Sequence, residues 1–295
     1  MNKYAIALLG KKGWSCLKGL VECDSFAADN ITVVVAKDEK VVNDFYEDIA
    51  LLCRKHNICF FERSTIEDFS QFEFVFVVGW RWLIKGVPND RLIIFHDSLL
   101  PKYRGFAPLV NAAINRDEKV GVTALFGAVQ YDRGDIIFQK SIDVTYPIRI
   151  GRLIDLAIPL YVSMFVEIFE SLAKGHKLLG EAQSESDATY SVWLDEEDYK
   201  IDWTDSAVNI ANKINMLGQP FKHASAFLSG ERIDVISAEP YENLILECLH
   251  AGKVLMVDGI SPIVICGEGL LKINTLRSPY GEDLLPLKKI RVRFK

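Results

Sequence analysis

The sequence is poor in the features that mark a metal centre, a secreted scaffold or a membrane span. Its six cysteines (Cys16, Cys23, Cys53, Cys59, Cys248 and Cys266) form no C-x-x-C pair and no Cys/His cluster. Zinc-ligand spacing is therefore absent, and no metal site is expected. The thiols read as small buried apolar side chains in a reducing compartment. No run of about 18 uncharged apolar residues exists, so no spanning helix is predicted. The start, MNKYAIALLGKKGW, has only six apolar residues before Gly10 and Lys11. It reads as a first strand, not a signal peptide, which places the chain in the cytoplasm.

A positive field is missing too. Thirty-four Lys and Arg against 40 Asp and Glu give a net charge of -6. Tight binding to a phosphate polymer calls for a strongly basic face. The one dense basic run is Lys288, Lys289, Arg291, Arg293 and Lys295, and it reads as a solvated edge strand carrying protective lysines in preference to a nucleic-acid contact. Gly10 to Gly13 lacks the three-glycine dinucleotide fingerprint, so no nicotinamide cofactor is predicted. There is no internal repeat and no low-complexity segment.

What is present is core-forming material: 49% apolar residues in 295, enough for one large or two modest domains. Strand-like runs (Tyr4–Leu9, Ile31–Ala36, Ile58–Phe61, Phe72–Val78) alternate with helical spacing at Trp14–Val21 and Val41–His56. That alternation predicts an α/β fold, a doubly wound, Rossmann-like, mostly parallel sheet. Further strands are expected at Val120–Phe126 and Asp135–Ile142, and a long helix, bent at Pro159, at Ile150–Leu172. Another helix is read at Ala207–Met216. After Gly218-Gln219-Pro220 the runs shorten and glycine turns multiply, the signature of a smaller, mainly β carboxyl-terminal domain. The boundary is drawn between 1–205 and 206–295.

The chain is organised around LIIFHDSLLPKYR (Leu92 to Arg104). Four apolar residues form a run suited to a strand buried on both faces. The run delivers His96, Asp97 and Ser98 at its carboxyl end, where open α/β sheets place their ligands, and Pro101 then stops any regular element. His96 is a proton carrier near neutral pH, or a strand-end histidine satisfied by a backbone group. Asp132, in YDRGD, is a second candidate or an ordinary turn aspartate.

HDSLLPKYRGFAP, then VGVTALF, then YDRGDII resembles the folate-dependent formyltransferases. Their pattern runs N-x-H-x-S-L-L-P-x-x-x-G, then G-V-T, then D-x-G-x-I. It is met by His96, Ser98, Leu99, Leu100, Pro101 and Gly105; by Gly121, Val122 and Thr123; and by Asp132, Gly134 and Ile136. The order and spacing fit over roughly the first two-thirds of the chain. The resemblance implies 10-formyltetrahydrofolate as donor and an amine as acceptor. The family's catalytic histidine and aspartate fall on His96 and Asp132, with Ser98 beside them. His96 would polarise the formyl oxygen, and Asp132 would orient the imidazole or take the amine's proton. One position departs: the family asparagine falls on Ile94, which has no hydrogen-bond donor to offer.

The resemblance also implies a folate site near Trp80, Trp82 and Leu83 of GWRWLI and near Leu100, Tyr131 and Asp132. Trp80, Trp82 and Leu83 read equally as core. On the acceptor side stand Lys102, Tyr103 and Arg104, with Trp193, Tyr199 and Lys200 of SVWLDEEDYKIDW. Trp193 or Tyr199 would stack on a base or sugar, and Lys200 or Arg104 would meet a pyrophosphate. The alternative for Trp193 and Trp203 is packing at a domain interface. Acidity and a short tail favour a dTDP- or UDP-linked amino sugar for surface polysaccharide as acceptor. Methionyl-tRNA, or a non-catalytic binder of folate or nucleotide sugar, are the alternatives. The expected partners are a nucleotide sugar and folate, without nucleic acid or a membrane span; the β-rich tail offers a homodimer surface.

Overall fold

The computed structural model describes residues 3–39, 41–66, 68–242 and 244–295. The chain forms two compact units. One comprises the residues up to Val144 with Leu153–Trp193; the other comprises Thr145–Arg152 with Leu194–Lys295.

The first unit carries, in order, β1 (Tyr4–Leu8), α1 (Gly10–Val21), β2 (Ile31–Val35), α2 (Tyr46–Lys55), β3 (Cys59–Glu62), β4 (Phe74–Val78) and β5 (Leu92–His96). Then come β6 (Arg104–Gly105), α3 (Pro108–Ile114), β7 (Lys119–Phe126), β8 (Ile136–Asp143), α4 (Ile150–Ala173), whose first turn belongs to the other unit, and β9 (Tyr190–Ser191). Seven strands form one sheet in the order β3-β2-β1-β4-β5-β7-β8. The first five are parallel, and β7 and β8 are antiparallel. The mostly parallel sheet read from the alternation is thus present.

Its two faces are covered differently. Helix α1 buries Gly13, Cys16, Leu17 and Leu20, an i, i+3, i+4, i+7 stripe. It packs with α2 and α4 over Ile6, Leu8, Val33, Phe76, Ile93 and Phe95. The opposite face carries Ala5, Ala7, Val34, Val75 and Val77, covered by Ile66, Phe69, Phe72, Trp80, Ile84 and Val87 from irregular segments. β5 is therefore not buried equally on both sides. Ile93 and Phe95 lie under the helices, while Leu92 and Ile94 are half-buried on the loop-covered face.

The second unit holds α5 (Ala207–Met216), β10 (Ala224–Leu228), β11 (Glu231–Tyr241), β12 (Val254–Asp258), β13 (Ser261–Ile265) and β14 (Leu270–Arg277). Ser206 caps α5 by accepting from the Asn209 N–H at 3.2 Å. The strands form a separate antiparallel sheet, β10-β11-β14-β13-β12. Its edges, β10 and β12, are joined by residues 292–295. The Val254 N–H donates to Val292 and the Phe294 N–H to Gly252, while Phe227 and Lys295 exchange N–H···O bonds at 2.7 and 2.9 Å. Phe294 is buried and its ring lies 5.4 Å from that of Trp203. The tail thus closes the sheet through its backbone and Phe294, while Lys288, Lys289, Arg291, Arg293 and Lys295 stay exposed, and Trp203 is core.

Of the cysteines, Cys16, Cys53 and Cys266 are buried as expected, but Cys59 and Cys248 are exposed. Among the described residues no helix is long and apolar enough to cross a membrane.

Candidate active site

His96 ends β5 at the carboxyl edge of the parallel strands, 8% exposed. Successive side chains alternate across a sheet, so His96 projects from the loop-covered face with Ile94, and Asp97 turns under the helices. The two neighbours lead separate lives. Asp97 pairs with Lys12 of α1 and accepts from the Tyr161 hydroxyl at 2.6 Å. Burial pushes the Asp97 carboxyl up, but the Lys12 ammonium, the Lys12 and Tyr161 hydrogen bonds and the charge of His96 outweigh it and hold it below its ordinary value. Burial, then the Asp97 charge, pushes the Tyr161 phenol well up.

The loop after His96 is pinned by its own hydroxyls. Ser98 Oγ donates to the Lys102 carbonyl at 2.6 Å, and Thr123 Oγ1 donates to the Ser98 carbonyl at 2.6 Å. Leu100 is buried; its N–H donates to Thr123 Oγ1 and its carbonyl accepts from Gln139. Ser98 and Leu100, expected at the reaction and the folate, hold the loop's shape through these bonds. Tyr103 then adopts φ +59, a left-handed conformation unusual for a side-chain-bearing residue. Its carbonyl accepts from His96 Nε2 at 2.8 Å. With that proton on Nε2, Nδ1 is the nitrogen left facing Asp132, whose Oδ1 lies 3.6 Å away. Tyr103's own phenol is tied to Asp117 and Asn115, both at 2.9 Å.

Asp132 is no ordinary hairpin-turn aspartate. β7 runs antiparallel to β5 with Thr123 opposite His96 and Phe126 opposite Ile93. The strand thus ends below the histidine, and residues 127–135 must fold back along the sheet to bring Asp132 up to it. Asp132 itself has φ +56. Gly134 lies so close to the Phe126 carbonyl that any side chain would collide. Asp132 Oδ2 accepts from the Gly105 N–H at 2.8 Å.

A clasp not foreseen from sequence ties these loops together. Gln183 Nε2 donates to the carbonyls of Asp132 and Gly134 at 2.8 and 2.7 Å. Its Oε1 accepts from Arg104 Nε and an Arg104 terminal nitrogen at 3.1 and 2.9 Å. Arg104 is fully buried, and its two terminal nitrogens meet the Glu185 carboxylate at 3.0 and 2.9 Å. Those bonds push its guanidinium further up, chiefly through Glu185. Arg104, expected at a pyrophosphate, is consumed inside the fold. Gln183 falls in the polar stretch Glu181–Asp187, and no local pattern signals its role.

Several of the other candidate residues are exposed. Tyr131 is 74% and Trp193 61% exposed, beside Val192 and Phe106. Arg133 donates to the Tyr190 hydroxyl at 2.7 Å, and Lys102 is exposed. Trp80 and Trp82 meet edge to face at 5.2 Å, and the Arg63 guanidinium lies 4.4 Å from the Trp82 ring centre. They line a cavity of about 260 Å³ with Ile66, Phe69, the exposed Leu83 and Lys85. Tyr199 and Lys200 belong to the second unit. Tyr199 is buried there, so it offers no stacking face, and Lys200 pairs with Glu197 at 2.8 Å.

Residues 68–153 match the family described as formyl transferase, and residues 194–286 match its carboxyl-terminal domain. Over 230 residues the chain is 30% identical to a methionyl-tRNA formyltransferase of Syntrophomonas wolfei, covering 75% of this chain and 71% of that one. It spans 59% to 60% of the length of several other methionyl-tRNA formyltransferases. Its fold is similar to that of WlaRD, a sugar 3N-formyl transferase solved with dTDP and 5-N-formyl-THF (TM-score 0.69, 20% identity, 93% of this chain and 98% of that one). It is also similar to an N-formyltransferase of Helicobacter canadensis in complex with folinic acid and dTDP-3-aminofucose (TM-score 0.70, 16% identity, 92% and 99%).

Proposed function

The chain belongs to the formyl transferase family, and from that premise we propose that it moves the formyl group of 10-formyltetrahydrofolate to the primary amine of a dTDP- or UDP-linked amino sugar. The observation that carries the proposal is the approach of Asp132 to His96 Nδ1 at 3.6 Å. When bound, the folate supplies an activated one-carbon acyl group. The aromatic and apolar lining of Trp80, Trp82, Leu83, Ile66 and Phe69, with Arg63 and Lys85 beside it, fits a flat ring bearing an anionic tail.

The chain's own residues then divide the work. His96, its Nε2 proton held by the Tyr103 carbonyl, presents a basic Nδ1 that takes the proton the attacking amine must lose. Asp132 lies against that nitrogen and stabilises the imidazolium as it forms. Arg104, Gln183 and Gly105 keep Asp132 in place. This division differs from the one the resemblance implied, since His96 works as base rather than as donor to the formyl oxygen. Ser98 serves the loop, and Lys102, Tyr131, Arg133, Tyr190 and Trp193 remain for the acceptor.

The net charge of -6 supports a sugar acceptor over tRNA. The names of the sequence relatives favour methionyl-tRNA as the second reading. Purified protein, formyl donor and a panel of dTDP- and UDP-linked amino sugars should give a product 28 mass units heavier by mass spectrometry. No product with any sugar, together with salt-sensitive binding and formylation of methionyl-tRNA, would establish the second reading. No product with either acceptor would leave a binder without turnover.

A further inference from the structure

Acyl transfer needs a hydrogen-bond donor at the oxygen that gathers charge as the amine attacks. The side chains nearest to hand do not supply one. Position 94 is isoleucine, the His96 Nε2 proton is held by Tyr103, the Ser98 hydroxyl by Lys102, and Asp97 lies on the other face. Trp80 is different. It follows β4, which runs parallel beside β5 with Val77 opposite Ile94 and Val78 opposite Phe95. β4 ends at Val78, and Gly79, with φ +66, and Trp80 follow it at the same carboxyl edge at which β5 ends in His96. Trp80 packs in the same apolar cluster as Ile94, and Trp82 holds its ring edge to face. Its Nε1 is buried and has no hydrogen-bond partner among the described residues. A buried N–H is almost always paired, and an orphan that follows the strand paired with β5 calls for an acceptor that arrives later.

We propose, resting on the formyl-transfer reading above, that the Trp80 indole N–H donates to the formyl oxygen and takes the part an asparagine at position 94 would play. The amine lone pair forms the new C–N bond at the formyl carbon, and the carbonyl pair moves to the oxygen that Nε1–H meets. When that pair returns, the bond to the folate nitrogen breaks. That nitrogen leaves with the electron pair and receives the proton the amine gave up to His96.

The test uses the intact protein with its five tryptophans labelled by ¹⁵N at the indole and no amine acceptor present. Trp80→Phe assigns the Trp80 signal. The Trp80 indole proton should move downfield with 10-formyltetrahydrofolate and not with tetrahydrofolate. With acceptor present, Trp80→Phe should lower kcat about 100-fold while changing the donor KM far less. Ile94→Asn in the Trp80→Phe background should recover at least about tenfold of that loss. Equal responses to the two folates, a Trp80→Phe variant altered only in KM, or a large rate gain from Ile94→Asn alone would overturn the assignment. Binding without the formyl-dependent shift sinks this inference alone. No response to either folate removes the formyl-transfer reading and this inference together.

Discussion

The main-chain N–H of Gly105 donates to Oδ2 of Asp132 at 2.8 Å while Oδ1 of the same carboxylate faces His96 Nδ1. The segment that leaves the histidine thus returns to steady its partner. Asp132→Asn keeps an acceptor for Gly105 and removes the charge that supports the imidazolium. Formyl transfer should fall about 100- to 10,000-fold with little change in the urea unfolding midpoint. Initial rates and a denaturation curve on the same preparation check both halves.

Arg104 acts at one remove. Arg104→Met keeps bulk but strips Gln183 of both donors on its oxygen, so the Asp132 loop loses its anchor. Displacement of this kind costs on the order of 100-fold in rate. The loss should appear in kcat more than in KM, and Arg104→Lys, which lacks the planar fork, should not restore it.

Asp97 should give the fold an acid-sensitive contribution. Burial raises its carboxyl, but Lys12 and the other partners hold it below 3.8. A depressed carboxyl stabilises the native state above its unfolded value and loses that effect as the pH falls through its folded value. Asp97→Asn leaves Lys12 largely buried and unpaired, so it should be less stable by about 2–4 kcal/mol at neutral pH. The gap should narrow below pH about 4, as read from urea midpoints across a pH series.

Phe294 locks the tail into the second unit. Phe294→Ala should lower that unit's stability by about 3–5 kcal/mol. Removing residues 292–295 should release both β10 and β12 as open edges, with aggregation visible by size-exclusion chromatography.

Thiol reactivity should sort by burial. Burial pushes the Cys53 and Cys266 thiols up to about 12 and Cys16 higher still, so little thiolate exists at pH 8. Iodoacetamide should label Cys59 and Cys248 in the folded protein and reach Cys16, Cys53 and Cys266 only after unfolding. Peptide mass spectrometry distinguishes the two sets.

The position of His96 at a strand end was legible because a short apolar run stopping at polar residues and a proline is a local pattern, and its pairing with Asp132 because a second motif stands in register with it. The strands and α5 were legible for the same reason, since period and turn residues are local. Gln183 was not. Its task exists only because Arg104 and the 127–135 loop arrive beside it from elsewhere in the chain. Arg104 and Tyr199 were misjudged because charge and aromaticity suggest ligand contact until burial is known. The tail's part in closing the sheet was not legible because its exposed lysines and arginines conceal Phe294, the residue that places it.

The Gln183 clasp makes the site depend on one uncharged amide. Its amide must offer two protons to carbonyl oxygens on one side and an oxygen to a guanidinium on the other, so only one orientation serves. Deamidation to glutamate would swap both protons for a negative charge aimed at those carbonyls. A single hydrolysed amide, distant in sequence from both His96 and Asp132, would then loosen the loop on which Asp132 rests while leaving every side chain of the pair intact.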